Sequence, residues 1–326
     1  MKEARYYEKL DRNRVRCKLC PIECVIAEGK RGRCLGRENI KGRLYATNYG
    51  EVVSIANDPV EKKPLYHFHP GKSILSIAPN GCNLLCPFCQ NWEISQKKFP
   101  TQYLSPEEMV RYAKEYNSIG IAYTYTEPLI WFEYLMDICP LVKKEGMVNV
   151  LITNGMINKE PLKELLPYID AMNIDLKSIK EEFYREVVKG DLNTVKQTII
   201  ESKKSCHIEV TNLIIPSLND SKEEIDELIE FVASVGKDTP LHFSRYFPNY
   251  KFNKPPTPVQ TLKEAYNRAR DKLYYVYLGN VWMGEDNTYC PECGNLLISR
   301  YYFSSKIEGI ENGRCKGCGR EVDIIL

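Results

Sequence analysis

Short apolar runs alternate with amphipathic stretches through the middle of this chain, from about residue 71 to residue 280. The runs have the length and the β-branched content of parallel strands that are buried on both faces of a sheet. They predict six strands, at residues 73–78, 120–124, 148–153, 171–175, 207–214 and 241–244.

The stretches between these runs carry helical periodicity. Ser105 before Pro106 is typical of a helix start, because serine caps the first turn and proline fits the first helical position. Helices are predicted from there to about residue 117 and at residues 129–144, 159–166, 192–203, 222–235 and 259–272. Six such units predict an α/β fold, a partial (β/α)6 TIM-like barrel, in which functional groups cluster at the carboxyl ends of the strands.

Charge and composition narrow the class of protein. The 326 residues carry a formal net charge of +2, so the overall charge does not indicate nucleic acid or a membrane as partner. No apolar run is long enough to span a membrane, and the charged first residues are unlike a signal peptide. Eleven of the thirteen cysteines fall into three clusters, which favours metal binding over disulfides. We therefore expect a cytoplasmic protein.

The most specific motif is the run Cys82-x3-Cys86-x2-Cys89, which directly follows the first predicted strand. Most iron–sulfur clusters are held by four cysteines, whereas three thiolates at this spacing are typical of a [4Fe–4S] cluster with one open iron. The expected ligand of that iron is S-adenosylmethionine (SAM), whose reductive cleavage gives a 5′-deoxyadenosyl radical. Phe88 occupies the position of an aromatic ring that packs on the adenine. The alternatives are three core thiols or a zinc site.

Three stretches together resemble one family of radical SAM enzymes: residues 58–67, the loop 81–96 and the strand end 173–177. Over nearly its whole length the chain resembles the AmmeMemoRadiSam-system radical SAM enzymes, which are relatives of the pyruvate formate-lyase activating enzymes. The residues proposed to hold the cofactor, beyond the cysteine loop, are implied by this resemblance.

Two of these positions follow the second and third predicted strands. Thr126-Glu127 stands where the activating enzymes have Gly-Gly-Glu-Pro, whose backbone carbonyls accept hydrogen bonds from the ammonium group of SAM. Asn154 stands where polar groups are directed toward the ribose and the carboxylate of the cofactor. A polar strand end before a helix, and an ordinary Asn-Gly turn, are the alternatives.

The fourth and sixth strands contribute the remaining positions. Asp175 and Lys177 lie on the same side of their strand because side chains alternate with period two. They resemble an Asp-x-Lys pair that contacts the cofactor, and an ordinary ion pair is the alternative. His242 resembles a histidine near the cofactor, and a structural histidine is the alternative.

The predicted tail, residues 281–326, contains two Cys-x2-Cys-Gly knuckles. Four thiolates at this spacing indicate a zinc-ribbon-like structural site, in which glycine permits the tight turn of each knuckle. Rubredoxin-type iron is the alternative metal. The ligands are predicted to be Cys290, Cys293, Cys315 and Cys318.

The predicted head, residues 1–70, is also rich in cysteine. Four thiols suffice for one closed metal site, and both zinc and an auxiliary [4Fe–4S] cluster fit such a site. Unliganded thiols are the alternative. The four residues are Cys17, Cys20, Cys24 and Cys34. Cys139 and Cys206 lie in apolar stretches and are predicted to be core residues. Six basic residues of the head suggest an acidic partner or RNA: Lys30, Arg31, Arg33, Arg37, Lys41 and Arg43.

Taken together, the sequence predicts an enzyme that cleaves SAM reductively at a [4Fe–4S] cluster and abstracts hydrogen from a substrate that the sequence does not identify. An electron donor such as ferredoxin or flavodoxin is the expected partner. Three other hypotheses stay open: an activase of a glycyl-radical enzyme, an enzyme that modifies RNA or nucleotides, and a non-enzymatic iron–sulfur scaffold or sensor. We expect head and tail to narrow access to the barrel, which favours a small molecule or a thin segment as substrate.

Overall fold

Two small antiparallel sheets form the first part of the chain in a computed structural model, which describes residues 1–281 and 286–326. Residues 282–285 are outside these described ranges and belong to the start of the predicted tail. The head strands are β1 (Lys2–Glu3), β2 (Tyr7–Lys9), β3 (Val15–Cys17), β4 (Val25–Ile26), β5 (Arg37–Ile40) and β6 (Arg43–Ala46). One sheet has the order β1-β6-β5 and the other the order β2-β3-β4.

A nine-stranded sheet forms the centre of the molecule. Its strands are β7 (Glu51–Pro59), β8 (Ser73–Pro79), β9 (Gln102–Tyr103), β10 (Gly120–Tyr123), β11 (Val148–Thr153), β12 (Ala171–Asp175), β13 (His207–Ile214), β14 (Leu241–Arg245) and β15 (Val276–Gly279). The order is β15-β14-β13-β12-β11-β10-β8-β7-β9, and β8 and β10 to β15 run parallel. Because the order is linear, the barrel is partial.

Helices connect these strands, and most of them pack an apolar face on the sheet. They are α1 (Trp92–Ser95), α2 (Pro106–Glu115), α3 (Phe132–Lys144), α4 (Lys159–Leu165), α5 (Leu192–Lys203), α6 (Lys222–Val235) and α7 (Val259–Arg270). Three 3-10 turns and a π-helical turn complete the connections, at Val60–Lys62, Pro128–Trp131, Leu166–Tyr168 and Phe183–Val188. Among the described residues, no helix combines the length and the apolar character needed to cross a membrane.

The predicted partial barrel is confirmed, and all six predicted strands are present with ends that agree within a residue. The prediction omitted three strands of this sheet: the antiparallel strand β7, the two-residue strand β9 that pairs with it, and the short parallel strand β15. The predicted helix at residues 129–144 begins as the 3-10 turn, and its α-helical part starts at Phe132. Glu127 accounts for this difference, because its side chain caps the turn by accepting a hydrogen bond from the Leu129 N–H.

The tail covers the amino ends of the barrel strands. Its strands are β16 (Thr288–Tyr289), β17 (Leu296–Tyr301), β18 (Ser304–Ile307), β19 (Ile310–Glu311) and β20 (Arg314–Cys315). The backbone of Ile325 pairs with the segment before β8, donating to His67 at 2.8 Å and accepting from His69 at 2.7 Å. The cysteine loop follows the opposite end of β8. The part of the tail that the structure describes from residue 286 onward therefore does not narrow the mouth of the barrel, contrary to the prediction.

A buried ion pair fastens the head to the barrel. Arg37 of β5 donates to Glu133 of α3 at 2.5 Å, and both side chains are at most 2% exposed. Arg37 also donates to the carbonyl of Ile130, while Glu133 accepts from the backbone N–H of Arg5. Each of the two charged groups has hydrogen-bond partners across the contact between head and barrel, so head and barrel are expected to unfold together.

Glu133→Gln is expected to lower the free energy of unfolding by about 3–5 kcal/mol, because it leaves the Arg37 charge buried without a counter-charge. The measurement is chemical denaturation of anaerobically purified protein. Glu227→Gln is the control, since Glu227 pairs with Lys180 on the surface and exposed pairs contribute at most about 1 kcal/mol. Equal effects of the two substitutions would show that the buried pair does not hold the head.

Candidate active site

The loop with the three cysteines begins at a close contact with the head. Gly81 has a φ of +111°, and a Cβ added to it would lie 2.1 Å from the carbonyl oxygen of Cys34. The Gly81 N–H is bonded to the Ile94 carbonyl. Only glycine fits this position, since both the backbone conformation and the space exclude a side chain. The loop is therefore held between α1 and the head.

Two of the loop sulfurs have polar partners. The backbone N–H of Leu84 lies 3.4 Å from the Cys82 sulfur, and the side-chain amide of Asn154 lies 3.6 Å from it. The hydroxyl of Ser95 lies 3.3 Å from the Cys89 sulfur. Donors around a sulfur favour its thiolate form, which is the form that binds metals.

The sulfurs of the cysteine loop are not gathered as tightly as the ligands of a single metal ion. Within the described part of the chain, the close metal-ligand group is that of the four tail cysteines. All three loop thiols are free of disulfides. The loop sulfurs are therefore more widely spaced than those of the tail group, and their assignment to a [4Fe–4S] cluster stays a prediction.

Asp175 and Lys177 lie beside the loop at the carboxyl end of β12. The Lys177 ammonium is 2.9 Å from the Asp175 carboxylate. Burial raises the pKa of Cys86 to about 12, and the Lys177 charge opposes that rise. Burial works against the charge of Lys177 itself, but Asp175 and Cys86 hold its pKa above the usual value. The structure thus brings the predicted Asp–Lys pair into the electrostatic range of the cysteine loop.

Glu127 connects the ends of β10 and β11. Its buried carboxylate accepts hydrogen bonds from the Leu129 N–H at 2.9 Å, the Thr153 hydroxyl at 2.7 Å and the Asn154 N–H at 2.8 Å. Burial raises the pKa of Glu127 to about 7, and these donors oppose the rise. The neighbouring Thr126 hydroxyl donates to the Pro79 carbonyl at 2.7 Å. These bonds place Asn154 next to Cys82.

Phe88 is buried in an aromatic cluster. Its ring centroid lies 6.3 Å from that of Phe183 and 5.9 Å from that of Phe252. The segment after β14 also reaches this part of the loop, since the Lys251 N–H donates to the Pro87 carbonyl at 2.9 Å. The contact of Phe88 with adenine stays a prediction.

His242 belongs to a buried network inside the fold, and its contact with the cofactor stays a prediction. It lies 2.6 Å from the carboxylate of Glu209, and the rings of Tyr66 and Tyr277 pack on it. Burial would raise the pKa of Glu209, but hydrogen bonds from His207 and His242 hold it well below the usual value. The structure supports the alternative interpretation, a histidine with a structural role.

The sequence prediction missed a polar group inside the barrel. Asp58 accepts hydrogen bonds from Lys63 at 2.6 Å and from the Tyr125 hydroxyl. The Lys63 ammonium is buried and lies 4.3 Å from the centre of the Tyr125 ring. Residues 58–67 had contributed to the family resemblance without any assigned role. Several residues of this segment are charged, and no local pattern singles out Asp58 and Lys63 as the buried pair.

The four tail cysteines form a closed cage. Their sulfurs all lie within 4.8 Å of one another, and the pairs Cys290–Cys318 and Cys293–Cys315 are 3.7 and 3.6 Å apart. A tetrahedral zinc site with Zn–S bonds of about 2.3 Å has sulfurs about 3.8 Å apart. The cage can therefore hold one metal ion, and its size suits zinc.

Comparison with known proteins places this geometry in a family. Residues 76–232 match the model described as the Radical SAM superfamily. The chain is 26% identical over 164 residues to a pyruvate formate-lyase 1-activating enzyme of Escherichia coli, which covers 48% of this chain and 67% of that enzyme. A radical SAM methyltransferase from Sphaerobacter thermophilus shares the fold, with a TM-score of 0.51, 15% identity, and coverage of 70% of this chain and 71% of that one.

The cysteine loop and most of the parallel strands lie in the region that matches the Radical SAM superfamily, and their arrangement is that of a radical SAM enzyme. The chain belongs to the same family as an uncharacterized protein of Methanocaldococcus jannaschii. The two are 51% identical over 336 residues, and the match covers all of both chains. The superfamily implies a [4Fe–4S] cluster and SAM as cofactors.

Gly81→Ala is expected to displace the cysteine loop, because the added methyl group collides with the Cys34 carbonyl. The expected result is a loss of most of the iron bound at the loop, measured as iron per chain after anaerobic purification. Gly146→Ala is the matched control. Its φ is +71° but no atom lies within 4 Å of the added Cβ, so it costs only about 1 kcal/mol of stability and retains the iron. Full iron in the Gly81 variant would contradict the close contact.

Proposed function

We propose that Cys82, Cys86 and Cys89 hold a [4Fe–4S] cluster with one open iron, at which SAM binds and is cleaved reductively. The observation that carries this proposal is the arrangement of the loop: three free thiols, two with polar hydrogen-bond partners, at the carboxyl end of a parallel strand. With the cluster reduced and SAM bound, such a site supplies a 5′-deoxyadenosyl radical for hydrogen abstraction.

The protein groups around the loop have distinct roles in this proposal. The Asn154 amide and the Leu84 N–H orient Cys82 and stabilise its charge. Asp175 and Lys177 form a polar pair near Cys86 that suits the charged methionine part of SAM.

The other predicted cofactor contacts come from the strand ends and the loop aromatic. The backbone at Thr126 and Glu127 offers carbonyls for the SAM ammonium, and the Glu127 side chain keeps the strand ends in place. Phe88 would pack against the adenine. These roles match those implied by the resemblance to the AmmeMemoRadiSam-system enzymes, the subfamily that we propose for this chain.

The segments that border the mouth of the barrel favour a slender substrate. The head borders it, since Arg33 donates to the Lys189 carbonyl at 2.7 Å. The segment after β14 borders it from another side through the Lys251–Pro87 hydrogen bond. A small molecule or a thin flexible segment fits such an opening better than a folded partner does. We propose a substrate of this class.

An activase is the second candidate function, and the similarity to the Escherichia coli activating enzyme favours it. The modification of RNA has less support than the sequence suggested, because part of the basic head is engaged. Arg37 is buried against Glu133, and two further arginines pair with carboxylates of the head: Arg31 with Glu38 and Arg43 with Glu3. A non-enzymatic scaffold does not agree with membership of an enzyme superfamily.

The remaining parts of the proposal concern partners and organisation. Reductive cleavage requires a one-electron donor, and ferredoxin or flavodoxin in a reducing cytoplasm is the expected source. We propose three domains: a cysteine-rich metal-binding head at residues 1–70, a barrel at 71–280 and a tail at 281–326 that binds zinc. The tail cage supports the last assignment, since its sulfur spacing matches four Zn–S bonds.

Cys86→Ala is expected to abolish the cleavage of SAM, because it removes a ligand from a cluster with none to spare. The measurement is the release of 5′-deoxyadenosine by the anaerobic enzyme with dithionite and SAM. Cys206→Ala is the control: this cysteine lies outside the three clusters and donates to the Ser202 carbonyl. Release of 5′-deoxyadenosine by the Cys86 variant at the wild-type rate would show that this loop is not the site.

Electron paramagnetic resonance separates the two candidate functions. We expect a lysate incubated with enzyme, SAM and reductant to show no persistent glycyl radical, because the bordered mouth disfavours a folded partner protein. The control is the same lysate with the Cys86→Ala variant. A stable glycyl doublet that requires the wild-type enzyme would establish the activase function instead.

A further inference from the structure

The four head cysteines line a single cavity between the head and the barrel. On the barrel side the cavity is bounded by Asn83 of the cysteine loop and by Met156 after β11. All four thiols are free of disulfides. Four thiols around one space at a domain contact are a candidate metal site.

Three of the sulfurs in this cavity accept the same backbone hydrogen bond as sulfurs of the other candidate metal sites. The backbone N–H two positions further along the chain donates to Cys17, Cys20 and Cys34. The same bond is found at Cys82 of the barrel loop and at Cys315 of the tail. Such turns present each sulfur as an acceptor and leave it directed toward a shared centre.

The two cysteines outside the clusters behave differently. The Cys139 thiol bonds to the Tyr123 hydroxyl, and the Cys206 thiol donates to the Ser202 carbonyl in the last turn of the preceding helix. Both use their thiol proton within the fold, as a protonated core cysteine does. The head cysteines therefore differ from the two core cysteines, Cys139 and Cys206.

A buried donor faces the cavity without a partner. Arg37 lines the cavity, and its Nε–H is the buried group with no hydrogen-bond acceptor among the described residues around it. Its other nitrogens bond to Glu133 and Ile130. An unsatisfied buried N–H is costly, and an anionic group in the cavity would satisfy it. The site is thus built for a ligand that carries negative charge.

The spacing of the sulfurs distinguishes between zinc and a cluster. The tail cage shows how closely this chain gathers four sulfurs where a single ion fits, all within 4.8 Å. The head sulfurs are not gathered in that way and enclose a cavity instead. A cubane of iron and sulfide holds its four thiolates farther apart than one ion does, and its sulfides accept hydrogen bonds.

We propose that Cys17, Cys20, Cys24 and Cys34 bind a second [4Fe–4S] cluster, in which all four irons have protein ligands. The cluster accepts a hydrogen bond from Arg37 and lies against Asn83, the neighbour of Cys82. Because it has no open iron, it does not bind SAM. The inference concerns only the head and does not depend on the assignment of the barrel cluster.

The test uses the full chain with Cys82, Cys86 and Cys89 replaced by alanine, isolated anaerobically from cells supplied with both iron and zinc. We expect about four irons, about four sulfides and about one zinc per chain. After reduction with dithionite, the paramagnetic signal of a [4Fe–4S] cluster should appear and should not change when SAM is added. Adding Cys17→Ser and Cys34→Ser should remove this iron and leave the zinc, whereas adding Cys206→Ser should retain both metals.

Two results would overturn the proposal. Two zinc ions per chain without iron would establish a zinc site in the head, and one zinc without iron would show that the head thiols bind no metal. If the barrel variant fails to fold, the substitutions Cys17→Ser and Cys34→Ser are made in the otherwise intact chain. Iron should then fall from about eight to about four per chain, and an unchanged iron content would contradict the proposal.

Discussion

The buried ion pair between Arg37 and Glu133 is the interaction on which the arrangement of this molecule depends. It joins the head to α3 of the barrel at a position where both side chains are buried, and where either charge alone would be strongly unfavourable. The same arginine borders the cavity of the head cysteines, and α3 follows the turn that Glu127 caps. The Arg37 guanidinium therefore links three features: the docking of the head, the positions of the strand ends and the charge beside the head thiols.

The cysteine loop shows how the fold prepares a site before any metal arrives. Its sulfurs receive donors from three directions: its own backbone at Leu84, the strand end at Asn154 and the short helix at Ser95. Glu127 secures the second of these by holding the Asn154 backbone. The polar groups that favour thiolates are thus fixed by bonds within the protein, so little reorganisation is needed when the metal binds.

The features that depend on local sequence could be predicted, and those that depend on distant contacts could not. The parallel strands were recognisable because continuous β-branched runs are typical of strands buried on both faces. β7 was missed since it is an antiparallel strand with polar positions such as Asp58, whereas β15 was missed although it is as long as β10. The Arg37–Glu133 pair joins residues 96 positions apart and leaves no local pattern. The partner of His242 could not be predicted, because a strand histidine looks the same in the sequence whether it contacts Glu209 or a cofactor.

The contact between Gly81 and the Cys34 carbonyl has a consequence for how such a protein can change during evolution. A side chain at position 81 would require the head to move away, and a head with a different backbone at position 34 would lose the surface against which the loop rests. The two segments are therefore expected to be inherited as a unit. A recombination that exchanged the head alone would separate two surfaces that leave no room for a side chain at position 81, so new heads are more readily acquired together with a new loop.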